Sequence, residues 1–212
     1  MGHYLNGNIA KQKTVYPKNI EKHEWFFKNG NIEVQQWRQN GELHRTDGPA
    51  EIKYHENGNI KAQKWWQNGK QHRTNGSAET QYFKNGCIKT QKWWQNDKPH
   101  RVNKPAVIHY YENGNIKMQI WWQNGKLHRI DGSAVICYYE NGNIYIQEWW
   151  QNDEPHRTNG PAYEEFDSKG KPKTVIYLIN GERLTHEQWQ KKILADKLTS
   201  NDKQNKPKNM SL

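Results

Sequence analysis

The chain has 212 residues, a formal net charge of +10, 33% hydrophobic residues, eleven Trp and eleven Tyr. Leu, Ile, Val and Phe are too few for a thick globular core, and aromatic residues are too many for a disordered chain. That leaves a thin, extended structure stabilised by aromatic and cross-strand contacts.

The charge excludes less than its size suggests. Residues 1–28 carry +3 and residues 190–212 carry +4, which leaves +3 for everything between. A duplex-binding surface would concentrate its charge on the main body, so nucleic acid or acidic lipid is the weaker expectation for a partner. Cys87 and Cys137 form no regular framework and read as free thiols of a reducing compartment. Residues 1–10 lack the apolar core of a signal peptide, and no stretch is long and apolar enough to span a bilayer. The expectation is a cytoplasmic protein that is not secreted. On that expectation the glycosylation-type triplet Asn75-Gly76-Ser77 is a chance match.

In chain order, residues 1–20 read as a shortened N-terminal unit. Asn6-Gly7 to Asn29-Gly30 is 23 residues, with Pro17 in the middle. Residues 21–184 repeat every 28 residues, the separation of His44-Arg45 from His72-Arg73. The pair returns at His100-Arg101, His128-Arg129 and His156-Arg157. Trp37, Trp65, Trp93, Trp121 and Trp149 keep the same spacing, and all but Trp37 are followed by a second Trp. A fixed period of about 20–50 residues signals stacked small units rather than a globular enzyme.

Within residues 48–75, Ala50 to His55 alternate apolar and polar, the period of a strand. Glu56-Asn57-Gly58 reads as a hairpin turn, and Ile60 to Trp66 as the returning strand. Asn68-Gly69 makes a second turn before His72-Arg73. Parity selects the first turn. A two-residue Asn-Gly loop would set Tyr54 against Lys61. A three-residue loop sets Tyr54 against Ile60 and Ile52 against Ala62, gathering the apolar residues on one face. This predicts a type I turn with Gly58 left-handed. It also places Trp66 with Ile52 and Tyr54, and Trp65 with Gln63 on the polar face. Two readings of the first Trp row follow. Either the Gly-Lys-x-His-Arg segment folds back over it, or the row is an open binding strip. An exposed Trp on every repeat is an aggregation hazard, which favours the first.

Residues 185–198 read as a capping helix. Thr185 and Gln188 form a capping box, and Trp189, Ile193, Leu194 and Leu198 recur at helical spacing to cover the last strand. Residues 199–212 are polar and read as a disordered tail. The fold class is therefore all-β: an elongated antiparallel meander of repeated β-hairpins with one short C-terminal helix. At about 4.8 Å per strand, a dozen strands give a rod at least ~60 Å long.

No residue set points to catalysis, since a catalytic site needs one special place and these residues recur five times. No cofactor is expected. Consecutive His copies lie roughly 10 Å apart, too far to converge on one metal ion. The expected role of His-Arg is to bond a neighbouring turn or the Asp47 and Asp131 loops. If the array presents an interaction surface, its candidate residues are Trp37, Trp65, Trp93, Trp121, Trp149 and the five His-Arg pairs at 44–45, 72–73, 100–101, 128–129 and 156–157.

One repeat resembles a known family. Asn113-Gly114, Ile116, Trp121-Trp122-Gln123-Asn124-Gly125-Lys126, His128-Arg129, Asp131-Gly132 and Ala134 together look like a variant MORN-type repeat, with Ser133 in place of Pro. Such repeats are frequent in large DNA viruses of amoebae, in phages and in bacteria. The resemblance spans roughly residues 20–184, and the ending Asn180-Gly181-Glu182-Arg183-Leu184-Thr185 is similar to endings in that group. It implies hairpin arrays used for protein contact and sometimes for acidic lipid. The leading expectation is a non-enzymatic scaffold for an unidentified protein partner. Alternatives are a structural component of a virus particle, bridging virion proteins, and a binder of acidic lipid or nucleic acid.

Overall fold

A computed structural model describes residues 2–3 and 9–204. One antiparallel sheet takes its strands in chain order from Gly2–His3 to Glu182–Leu184, so the molecule is a meander with a single helix at its C-terminal end. Each repeat contributes a long hairpin. Glu51–Tyr54 pairs with Ile60–Lys64, Val107–Tyr110 with Ile116–Ile120, and Val135–Tyr138 with Ile144–Glu148. At the N-terminal end, Ile9–Tyr16 pairs with Ile20–Phe26, and that strand with Ile32–Gln39. The shortened unit thus runs into the array without a break, while Asn6-Gly7 lies outside the described residues.

The first turn closes as parity demands. Gly58 N donates to His55 O at 2.9 Å, and His55 N donates to Asn59 O at 2.8 Å. Gly58 has φ +87, and a Cβ built there would meet nothing within 4 Å. Backbone conformation rather than space requires glycine at this corner. Where Asn follows the turn Gly, it ties one hairpin tip to the next: Asn59 Nδ2 donates to Lys84 O at 3.0 Å, and Asn115 Nδ2 to Glu140 O at 2.9 Å.

The assignment of faces needs correction. Tyr54 does sit opposite Ile60, but the register then shifts, so that Lys53 faces Ala62 and Ile52 faces Gln63. A β-bulge at Lys61 inserts one unpaired residue, and one residue reverses the face of everything beyond it. The same shift recurs at Tyr82, Tyr110, Tyr138 and Phe166. One face therefore carries Ile52, Tyr54 and Gln63; Trp37 joins that face, two residues along its strand from Gln35. The other carries Lys53, Ala62 and Lys64. The second Trp of each pair belongs to this other face, as Trp150 shows by donating from Nε1 to Glu148 Oε2 at 2.8 Å.

Past Trp65 the chain makes a short hairpin, Trp66–Gln67 against Lys70–Gln71. Its two-residue turn has Asn68 at φ 48 and Gly69 at φ 70, the conformation of a type I′ turn. The returning strand lies between its own repeat and the next: Arg73 N donates to Trp94 O at 3.3 Å, and Asp97 N to Gln71 O at 3.2 Å. Residues 74–77 then loop out. Glu79–Tyr82 resumes in the same gap, paired with Ile60–Lys64 on one side and Ile88–Lys92 on the other. Each repeat is thus two long strands with an excursion loop part-way along one of them. Where the strand restarts, Ala50, Ala78, Ala106 and Ala134 are 0% exposed, because the loop and its neighbours close over a site that only a small side chain fits.

The helix spans His186–Gln204, six residues further than the expected end at 198. Nothing between 199 and 204 breaks it, since the first Pro is Pro207. The expected disordered tail is therefore helical through Gln204, and residues 205–212 lie outside the described residues. The capping box forms as read: Gln188 N donates to Thr185 Oγ1 at 3.2 Å, and Thr185 N to Gln188 Oε1 at 2.8 Å. Trp189 docks by donating from Nε1 to Arg157 O at 3.2 Å and by packing on Tyr177, 5.1 Å between ring centroids. Leu194 and Leu198 stay exposed, because the helix touches the sheet mainly through its first turns.

Candidate functional site

The recurring Trp, His and Arg meet at the excursion loop. Each Arg guanidinium lies over the first Trp of its own repeat. Cζ to ring-centroid distances are 4.1 Å for Arg45 on Trp37 and 3.8 Å for Arg73 on Trp65. They are 3.8 Å for Arg101 on Trp93, 4.0 Å for Arg129 on Trp121 and 3.6 Å for Arg157 on Trp149. In four of the five loops a glycine lies close against the guanidinium, and in the other Lys104 takes its place beside Arg101. A Cβ on Gly76 would stand 2.9 Å from Arg73 Cζ, and one on Gly132 3.0 Å from Arg129 Cζ. Each guanidinium also closes its loop by donating to a carbonyl four residues on, from Arg73 Nη1 to Ser77 O at 3.1 Å and from Arg129 Nη1 to Ser133 O at 3.0 Å. Burial pulls Arg73, Arg101 and Arg129 below the ordinary guanidinium pKa, yet such groups remain cations at physiological pH. The five Trp are half-buried under these cations. The Arg-bearing segment does fold back over the ring.

Four of the five His link repeats. Backbone N–H groups of the next short turn donate to the imidazole: Asn68 N to His44 Nδ1 at 3.1 Å, Asn124 N to His100 at 3.0 Å and Asn152 N to His128 at 3.2 Å. Asn180 N donates to His156 Nδ1 at 3.3 Å, whereas His72 Nδ1 is buried without a partner. The Asp47 loop engages Arg45 as anticipated, Nε to Oδ1 at 2.9 Å. That arginine's positive charge, acting first through the hydrogen bond, holds the Asp47 carboxyl below its ordinary pKa. Among the described residues, no three His, Cys, Asp or Glu side chains come together to hold a metal ion. Cys87 and Cys137 are both free. No described helix is long and apolar enough to cross a membrane.

Two features escaped the sequence reading. The first is a ladder of Tyr hydroxyls donating to the Gln of the preceding repeat. Tyr54 reaches Gln35 Oε1 at 2.7 Å, Tyr82 reaches Gln63 at 3.0 Å, Tyr110 reaches Gln91 at 2.8 Å and Tyr138 reaches Gln119 at 2.8 Å. Its signal was the constant offset of 19 residues between Gln and Tyr. The second is the position just after each Arg. Thr46, Thr74 and Thr158 stand there in three repeats, but Val102 and Ile130 stand there in the other two, 62% and 75% exposed. Notches lie between successive loops near Trp121 and Trp149, and between the first loop and the turn at residues 16–18 near Trp37. One of about 280 Å³ is walled by Trp121, His128, Arg129 and Ile130. Others, of about 510 Å³ and 630 Å³, recur beside Trp149 and Trp37.

His109 lies on the opposite face, its Nδ1 3.1 Å from Thr90 Oγ1. Burial, and then the positive charges of Lys92, Lys117 and Lys89, push it below the ordinary imidazole pKa. The unfolded chain, with His109 near 6.5, therefore binds more protons than the folded one. Stability should fall as pH drops through about 6.5 toward the lowered folded value. Melting midpoints taken from pH 7.5 to 5 should decline less steeply for His109→Gln than for the native chain. Parallel curves would exclude this contribution.

Comparison of the chain with protein-family models and with curated proteins gives no match.

Proposed function

We propose that the chain is a non-enzymatic repeat scaffold that holds a protein partner along the loop-bearing face of its sheet. The observation that carries this reading is the recurrence of one notch between successive loops, near Trp121 and Trp149, with a related notch beside Trp37 against the turn at residues 16–18. A partner with a matching period gains contacts repeat by repeat, which is how arrays of this kind bind along a surface. The resemblance to variant MORN-type repeats supports the same reading. A structural component of a virus particle, bridging virion proteins, is the alternative reading. The Trp rings are held under Arg, so the contact surface consists of loop edges, guanidinium edges and the exposed Val102 and Ile130, rather than bare indole faces.

The test uses the full chain as bait in its native source, beside a variant carrying Val102→Asp and Ile130→Asp. Both side chains project into solvent, so the melting midpoint should stay within about a degree or two. Capture of the partner should be lost. A variant that captures the same protein as strongly as the native chain would rule this face out.

A further inference from the structure

The face opposite the notches holds a cleft that the scaffold reading does not use. It has a volume of about 430 Å³ and is walled by Phe83, Tyr111, Lys89, His109, Lys117 and Met118. His109 stands between Ile108 and Tyr110 on its strand, and so points away from the Tyr–Gln ladder. Lys89 and Lys117 are exposed residues at the bulge position of successive repeats, where Lys61 stands one repeat earlier. Lys92 joins them beside His109, shared with Glu79 at 3.5 Å. The one acidic residue on the rim, Glu112, is engaged by Asn85 Nδ2 at 3.2 Å. The cleft is thus a cationic groove with apolar walls.

We propose that this cleft binds an acidic segment of a partner protein, laid across the strands with carboxylates at every third residue. Charge complementarity sets the sign. Spacing sets the kind of chain. Successive Lys at the bulge position are two strands apart, about 9.6 Å at ~4.8 Å per strand. Three residues of an extended polyproline-type chain advance about 9.3 Å, which keeps each carboxylate in step with Lys61, Lys89 and Lys117. Single-stranded nucleic acid fits less well. It binds such surfaces by stacking bases on open aromatic rings. Here Lys89 lies over Phe83 at 5.7 Å and Lys117 over Tyr111 at 5.4 Å, so a cation already stands over one face of each ring. This site stands independently of the notch face, because the two lie on opposite sides of one sheet.

Calorimetric titration of the full chain with unlabelled peptide tests it. The probe is a twelve-residue (Glu-Pro-Thr)4 peptide, beside a permuted peptide of the same composition with its four Glu contiguous, and a twelve-residue oligothymidylate. The spaced peptide should bind, with an affinity that falls as salt rises. A Lys89→Glu/Lys117→Glu variant should weaken it by about tenfold or more with an unchanged melting midpoint. A Lys191→Glu/Lys197→Glu variant carries the same charge change on the helix and should leave binding within about twofold. The permuted peptide and the oligothymidylate should both bind more weakly. Absence of binding by the spaced peptide, equal weakening by the helix variant, equal affinity for the permuted peptide, or tighter binding of the oligothymidylate would each overturn the proposal. None of these outcomes touches the capture experiment at Val102 and Ile130.

Discussion

Trp121→Ala should lower the stability of the chain by on the order of 3 kcal/mol and broaden its unfolding transition. Truncating a large, substantially buried aromatic costs about this much through lost transfer energy and an unfilled cavity. A second loss adds to it. Arg129 lies 4.0 Å from the Trp121 centroid and is partly withdrawn from water, so its cation loses the ring that offsets this burial. The ring sits where one repeat joins the next, since the backbone N–H of Trp121 donates to Ala134 O at 2.8 Å; that main-chain bond survives the truncation, and the stack of Arg129 on the ring is what is lost. Weakening a joint in mid-array loosens the coupling between the two halves, and an array is stabilised by units plus interfaces. Equilibrium denaturation read by far-ultraviolet circular dichroism measures both effects. A double-mutant cycle with Arg129→Ala should return a coupling of about 1 kcal/mol. A loss below about 1 kcal/mol, together with loss of partner capture, would show instead that the first Trp row is an open binding strip.

Gly76→Val should destabilise by roughly 2–3 kcal/mol, from two separable causes. Gly76 has φ +136, a conformation that a β-branched residue resists. Its new Cβ would also stand 2.9 Å from Arg73 Cζ. The guanidinium would have to leave both the Trp65 ring and Ser77 O. In an Arg73→Ala background the steric part disappears, and only the backbone strain of about 1–2 kcal/mol should remain. Equal losses in the two backgrounds would mean that the guanidinium does not rest on this glycine. The third loop shows a different solution. There Lys104 stands where the other loops have Gly, and the positive φ falls on Asn103, at 56.

The sequence by itself determined the period, the meander, the turn chemistry and the capping box. All of these are local. A left-handed glycine, an Asn-Gly pair or a Thr with Gln three residues on fixes its own few dihedrals, and 28-residue spacing repeats the result. The sequence favoured, without deciding, the return of the Arg-bearing segment over the first Trp, because an exposed Trp on every repeat is an aggregation hazard. The tertiary structure alone decided which face each side chain takes. The bulge at Lys61 adds a single residue that alternation cannot reveal, since it arises only once the hairpin must pair with neighbours on both sides. That one residue moved Trp65 to the face of Tyr54 and placed Ala62 opposite Lys53. The Tyr–Gln and His–turn bonds were likewise fixed by stacking, because their partners lie 19 and 24 residues apart and meet only when one repeat lies against the next. The same holds for the helix. Its apolar spacing was legible, but how much of that stripe finds a surface depends on where the last strand ends, and Leu194 and Leu198 find none.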